Sequence, residues 1–341
     1  MTPLERIRFT LAGKPVDSLP AQPMVMMFAA RYAGMPFIDY TRDGLKMAEA
    51  QLRVTEDFDI DCLLTCSDPA REVIDIAGDG SVEWFEDQGP AINEERAALL
   101  DMGRLKTFRI PDPMGGGRMH DRIRGIEKMA REIGGHRSIV GWVEGPLALA
   151  QELRGLNHVM MDFLENPSFV DDLLEFSADV AIPYASAQIA AGADTIGMSD
   201  AAASLIGPTH YRRFVQPRQK RVLEAIRAAH PGIITRLHMC GQTGPLLEAM
   251  AELPADIFEL DFPVDLNLAR KHLGAHRVIS GNVSTVSTLL TGTTDAVYRE
   301  AARCHAISGA RHIVNSGCEV SPMTPPDNLR ALIRYAREHR P

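Results

Sequence analysis

Apolar positions along the chain recur with two different periods. Short apolar and β-branched runs at 24–28, 62–66, 138–143, 195–199, 233–239, 257–260, 277–280 and 312–316 have the length of buried strands rather than helices. Between most of them lie longer segments with apolar residues three and four apart; Phe169, Leu173, Phe176 and Val180 form one such helical stripe. Strand then helix, repeated eight times, requires parallel pairing. The expected architecture is an α/β fold, a (β/α)8 TIM barrel, with a doubly wound open sheet as the competing arrangement. Residues 71–117 break the repeat. They hold an extra strand-like run at 82–85 and a loop at 112–117, and read as an insertion after the second strand within a single domain spanning 1–341. Gly115-Gly-Gly117 lacks the strand before it and the Lys-Ser/Thr after it that a phosphate loop needs, so it reads as a connection.

Composition narrows the function classes. The chain has 341 residues, 45% hydrophobic and 24% charged, enough for a large core. Thirty-six basic against 45 acidic residues give −9, with no basic block that could follow a phosphate backbone, which argues against nucleic acid or an anionic membrane as partner. No apolar run approaches the ~20 residues that span a bilayer. The opening residues place Glu5, Arg6 and Arg8 where a secretory signal needs an apolar core, so a cytoplasmic protein is expected. Five cysteines, odd and sparse, suit reduced thiols or metal ligands better than a disulfide framework.

In a barrel, chemistry sits at the carboxyl ends of the strands. The polar residues that follow the apolar runs are Arg31 and Tyr32, Asp68, Glu144, Asp200, His238 with Cys240, Asp261, Asn282, and Cys318. His238-Met-Cys240 places two soft ligands on one strand face, since residues two apart point the same way, and Cys318 can supply a third from another strand. Imidazole with thiolates selects zinc, and three protein ligands leave the open position of a catalytic site. Asp261 is the first candidate to reach that position and Glu259 the second. The bland readings stand beside these. Asp68 before Pro69 and Asp200 before Ala201 can simply cap helices, and Arg31 and Tyr32 can be surface residues. Glu144 precedes Gly145-Pro146, but Glu is a poor cap. Asn282 follows Gly281, where a ligand could approach the backbone. Cys62, Cys66 and Cys304 read as packing residues.

His238-Met-Cys240-Gly241, Leu260-Asp261-Phe-Pro-Val-Asp-Leu266, Gly281-Asn282-Val283 with Leu289-Leu-Thr-Gly-Thr293, and Gly317-Cys318 followed by Thr324-Pro325-Pro-Asp-Asn-Leu329 together resemble the uroporphyrinogen decarboxylase superfamily, and within it the zinc-dependent, corrinoid-linked methyltransferase branch. The stretch from Glu5 to Asp17 resembles that family's start, so the likeness runs over nearly the whole chain. It implies a (β/α)8 barrel and a Zn2+ held by His238, Cys240 and Cys318, with Asp261 as the acidic fourth ligand. The decarboxylase branch fits less well. Its Arg-Gln-Ala-Gly-Arg-Tyr signature is reduced here to Ala29-Ala-Arg31-Tyr32-Ala-Gly34, and its Gly-x-Pro-Trp-Thr motif is replaced by Glu144-Gly-Pro-Leu147.

The resemblance implies a methyltransferase moving a methyl group between a corrinoid and a thiol, a folate or a methylated small molecule. Zinc would make an incoming thiol a thiolate near neutral pH, or act as a Lewis acid on a methylated substrate. Asp261 and Glu144 are expected at the chemistry, with Asp200, Asn282, Asp68 and Tyr32 around the substrate. No histidine has Asp two before it and Gly three after it, as a corrinoid-carrying motif requires, so methylcobalamin or another corrinoid is expected in trans, on a separate protein or free. A carboxy-lyase of the decarboxylase type is the enzymatic alternative, and a binding protein with a structural zinc the non-enzymatic one.

Overall fold

A computed structural model describes residues 1–341. Nine strands occur: β1 (Cys62–Leu64), β2 (Val82–Glu83), β3 (Ala91–Ile92), β4 (Ser138–Glu144), β5 (Thr195–Ser199), β6 (Ile234–Met239), β7 (Ile257–Leu260), β8 (Val278–Ser280) and β9 (His312–Ile313). Seven of them form one parallel sheet in the order β1-β4-β5-β6-β7-β8-β9. Helices cover it, including Pro167–Ala190, which carries the predicted Phe169–Val180 stripe. The result is a curled α/β sheet of the TIM type. Within 71–117, β2 and β3 pair only with each other, antiparallel, and short 3-10 turns follow. Arg71 and Glu72, by contrast, belong to the helix Ala70–Ala77 and are fully buried.

The first predicted strand, 24–28, is the one that fails. Met27–Tyr32 is helical, and the strand's place is taken by residues 20–22. Val314 N–H donates to Pro20 O, Gln22 N–H to Val314 O, and Asp61 N–H to Ala21 O, so this segment bonds to the chain beside both β9 and β1. Pro20 and Pro23 have no N–H to donate, which limits the pairing to an isolated bridge. Asp61 secures it from below: its carboxylate accepts from Ala21 N–H at 2.6 Å and from Arg6 and Arg337.

Along the strands the inward-facing side chains change from apolar to polar. Ile234, Ile257, Val278 and Ile313 form an apolar floor, plugged by Ile7 from the helix Pro3–Ala12. That helix starts with a reciprocal cap between Thr2 and Glu5. Two residues further along β6, Arg236 lies in register with Gly197 and Trp142 on one side and with Ile257 and Val278 of the floor on the other. A Cβ on Gly197 would collide with the Trp142 indole, so glycine there makes room for the ring. Two residues further again, Glu144, Ser199, His238, Glu259 and Ser280 make a polar row. No helix is long and apolar enough to cross a membrane.

Candidate metal centre

His238 ends β6 and points along the same face as Ile234 and Arg236, because strand side chains alternate. Cys240 follows at the strand's exit, where Gly241 turns the chain with φ at +80°. Cys318 arrives from the segment after β9. Gly317 N–H donates to Val283 O at 2.8 Å, Met24 N–H to Ser316 Oγ at 3.2 Å, and Met27 N–H to Glu319 Oε1 at 3.0 Å, which stitch that segment between the β8 loop and the 20–28 stretch. His238 Nε2 lies 3.2 Å from Cys240 Sγ and 3.8 Å from Cys318 Sγ, and the two sulfurs are 3.6 Å apart. Zinc bonds of about 2.3 Å to sulfur and about 2.0 Å to nitrogen place tetrahedral ligand atoms about 3.5–3.8 Å apart, so the three atoms outline one face of such a site. No fourth His, Cys, Asp or Glu joins the cluster.

The two acids expected nearby have other partners. Glu259 is fully buried and its two oxygens face Arg236, while Asn315 Nδ2 donates to Oε1 at 2.6 Å. Its Oε2 stands 3.9 Å from His238 Nδ1, a buried nitrogen with no hydrogen-bond partner. A carboxylate on that side favours the tautomer that leaves Nε2 free to bind metal. Asp261 accepts from Gly241 N–H at 2.6 Å and from Phe262 N–H at 2.7 Å. It braces the turn that carries Cys240. Asn282 in turn donates to Asp261 O at 2.9 Å and Val264 O at 2.8 Å, holding the loop after β7.

All three ligand candidates line one cavity of about 240 Å³, together with Asp68, Trp142, Glu144, Glu152, Met24 and Met26. Asp68 also receives Arg118 at 2.8 Å and caps Ala70 N–H, so it caps a helix as well as lining the cavity. Glu144 is bonded to Arg71 at 2.7 Å; burial, helped by Glu72 and opposed by Arg71, leaves its carboxyl raised to about 8. Asp200 is outside the lining. Its oxygens accept from Ala148 N–H and Gln219 Nε2, and burial raises its carboxyl to about 7 against those bonds. Tyr32 is also outside, at 4.9 Å edge-on to Phe58 and 6.1 Å stacked on Phe28. Cys62 and Cys304 are buried packing residues, whereas Cys66 reaches the cavity wall.

Sequence reasoning missed Trp142, Glu152, Arg71 and Glu319. Trp142 lies two residues before Glu144 and so shares its face; Ala148, Gln151 and Glu152 lie three and four apart on the helix Pro146–Arg154. Those spacings were the available signals. Glu152 is 6% exposed, and its Oε2 has no partner.

The family model described as Uroporphyrinogen decarboxylase (URO-D) matches residues 2–339. The chain belongs to the uroporphyrinogen decarboxylase family. Among curated relatives, the Methylcobamide:CoM methyltransferase MtbA of Methanosarcina mazei is 27% identical over 345 residues, covering 99% of this chain and 98% of that one. The uroporphyrinogen decarboxylase of Parasynechococcus marenigrum is 28% identical over 261 residues, 74% of this chain and 72% of the relative. A solved methyltransferase from Methanosarcina mazei superposes with a TM-score of 0.89 at 23% identity, over 99% of both chains. A B12-independent methionine synthase from Shewanella sp. superposes with 0.57 at 14% identity, over 94% of this chain and 95% of that one. These likenesses support the methyltransferase branch of the family and the fold expected from its motifs.

Proposed function

We propose that this family member is a zinc-dependent methyltransferase that moves a methyl group between a corrinoid, carried by a separate protein, and a small molecule held in the cavity beside His238, Cys240 and Cys318. The observation that carries the reading is the spacing of the three ligand atoms, which suits one face of a tetrahedral zinc site, with all three residues on the wall of one cavity. Relatives named as methylcobamide:CoM methyltransferases support the methyl donor. Bound zinc would lower the pKa of an incoming thiol so that it reacts as a thiolate near pH 7.

The chain's own residues do the positioning. The Glu259 carboxylate, 3.9 Å from His238 Nδ1, favours the tautomer with Nε2 free for metal, and Arg236 with Asn315 keeps that carboxylate in place. Asp261 fixes the Cys240 turn through Gly241. Met24, Met26 and Trp142 supply apolar wall that excludes water from a nucleophilic sulfur. The cavity argues against the carboxy-lyase alternative. At about 240 Å³ it is below the usual drug-sized range, and it offers carboxyl groups but no lysine or arginine to a tetrapyrrole with many carboxylates.

The test is methyl transfer from methylcobalamin to a panel of thiols by zinc-loaded protein, followed by the loss of methylcobalamin absorbance. Turnover that stops with a chelator and returns with zinc supports the proposal. Turnover indifferent to zinc, or decarboxylation of a porphyrinogen in its place, contradicts it.

A further inference from the structure

Resting on the methyl-transfer reading, the geometry points to a substrate whose far end is cationic, an ammonium or alkylated amine seated between Glu152 and the face of Trp142.

Glu152 is the carboxylate that the fold leaves unmatched. It lies in the last turn of the helix Pro146–Arg154, where the helix dipole disfavours negative charge. Its side chain is more than nine-tenths buried, Oε2 has no hydrogen-bond partner, and no lysine, arginine or histidine nitrogen lies within 4.0 Å. Its neighbours deepen the deficit. Arg71 is engaged with Glu144 at 2.7 Å and Glu72 at 3.3 Å, and Arg118 with Asp68 at 2.8 Å. The wall that carries Glu152 also bears Asp68, Glu144 and Glu319, and no side-chain cation. A buried carboxylate without a partner is costly, and an entering cation removes that cost. Burial and the charges of Glu144 and Glu72 hold the Glu152 carboxyl well above its usual range, which favours the protonated form in the empty cavity, and an entering cation draws it to the carboxylate.

Trp142 supplies the second contact. Trp142 lines the same cavity beside His238, with ring centroids 6.4 Å apart, and an indole face attracts an organic cation. An anionic end group would meet carboxyls on this wall and no positive side chain. Discrimination between substrates therefore comes from the counter-charge that a cation gains at Glu152 and that an anion finds nowhere on this wall.

The experiment uses full-length protein with Co2+ in place of zinc and alkanethiols of two, three and four carbons that end in ammonium, hydroxyl or sulfonate. Thiolate binding is read from the sulfur-to-cobalt charge-transfer absorbance, independently of turnover. At the best-fitting length, the ammonium thiol is expected to bind about tenfold more tightly than the sulfonate, the ratio supplied by roughly one desolvated ion pair. Glu152→Gln is expected to erase that preference, read as the ratio of ammonium to sulfonate affinity in the same variant. Equal or tighter binding of the sulfonate overturns the inference alone, as does a preference that survives Glu152→Gln. If that variant does not fold, the ranking in the parent protein decides. If no thiol of any length changes the cobalt spectrum, the methyl-transfer reading falls and this inference with it.

Discussion

Along β6, Ile234 packs into the apolar floor with Ile257, Val278, Ile313 and Ile7, whereas His238, on the same strand face, ends 3.2 Å from Cys240 Sγ. The floor is held by area removed from water and tolerates any side chains of similar volume and shape. The rim is the reverse. Its buried polar groups are satisfied only in part by the protein: Trp142 Nε1 and Glu152 Oε2, of residues on the cavity wall, have no hydrogen-bond partner, and His238 Nδ1 meets only the Glu259 carboxylate at 3.9 Å. Between the two lies the pair Arg236 and Glu259, which belongs to the packed interior through its own ion pair and to the rim through His238. Stability and function are thus stacked along one strand and meet at Glu259.

That contrast can be broken at chosen rows. The largest combined effect is expected at Glu259→Gln. It leaves Arg236 buried without a carboxylate, which costs about 3–5 kcal/mol, and it removes the group facing His238 Nδ1, which lowers zinc affinity about 10- to 100-fold. Denaturant melts and zinc titration of one preparation read both; a variant that loses stability but keeps its zinc affinity would show that Glu259 serves the interior alone. Next comes Ile257→Ala in the floor, expected to cost about 2–5 kcal/mol through a cavity, with zinc content per folded chain unchanged. Loss of zinc from that variant would mean that the rows are not separable. The smallest effect is expected at Thr2→Ala, which removes the cap of the helix carrying Ile7 and should cost about 1 kcal/mol without touching the metal site. A change in zinc affinity there would point to long-range coupling through the floor.

The sequence pattern showed seven of the strands because their runs are apolar or β-branched and flanked by helical periods. It misplaced the first because Met24, Met26, Met27, Ala29 and Ala30 are apolar but favour helix, while the segment that does bridge the sheet edges is short and framed by Pro20 and Pro23. The three ligand candidates were legible because metal chemistry restricts residue type and spacing at strand ends. Asp261 and Asn282 were legible as strand-end polar residues but not as hydrogen-bond braces of turns, and Asp200, read as a possible cap of the segment after it, instead accepts from Ala148 N–H of the helix Pro146–Arg154. Glu152 lay beyond that reading altogether. It sits on a helix, and only the position of Pro146–Arg154 just beyond β4 brings it to the cavity.

Zinc content per chain, in the parent protein and in Cys318→Ala, both purified under reducing, zinc-replete conditions, tests the central claim most directly. The account predicts about one zinc in the parent and nearly none in the variant, which keeps its cooperative melt because a three-ligand site with an open position does not hold the fold together. A parent without zinc, or a variant that retains it, would contradict the account.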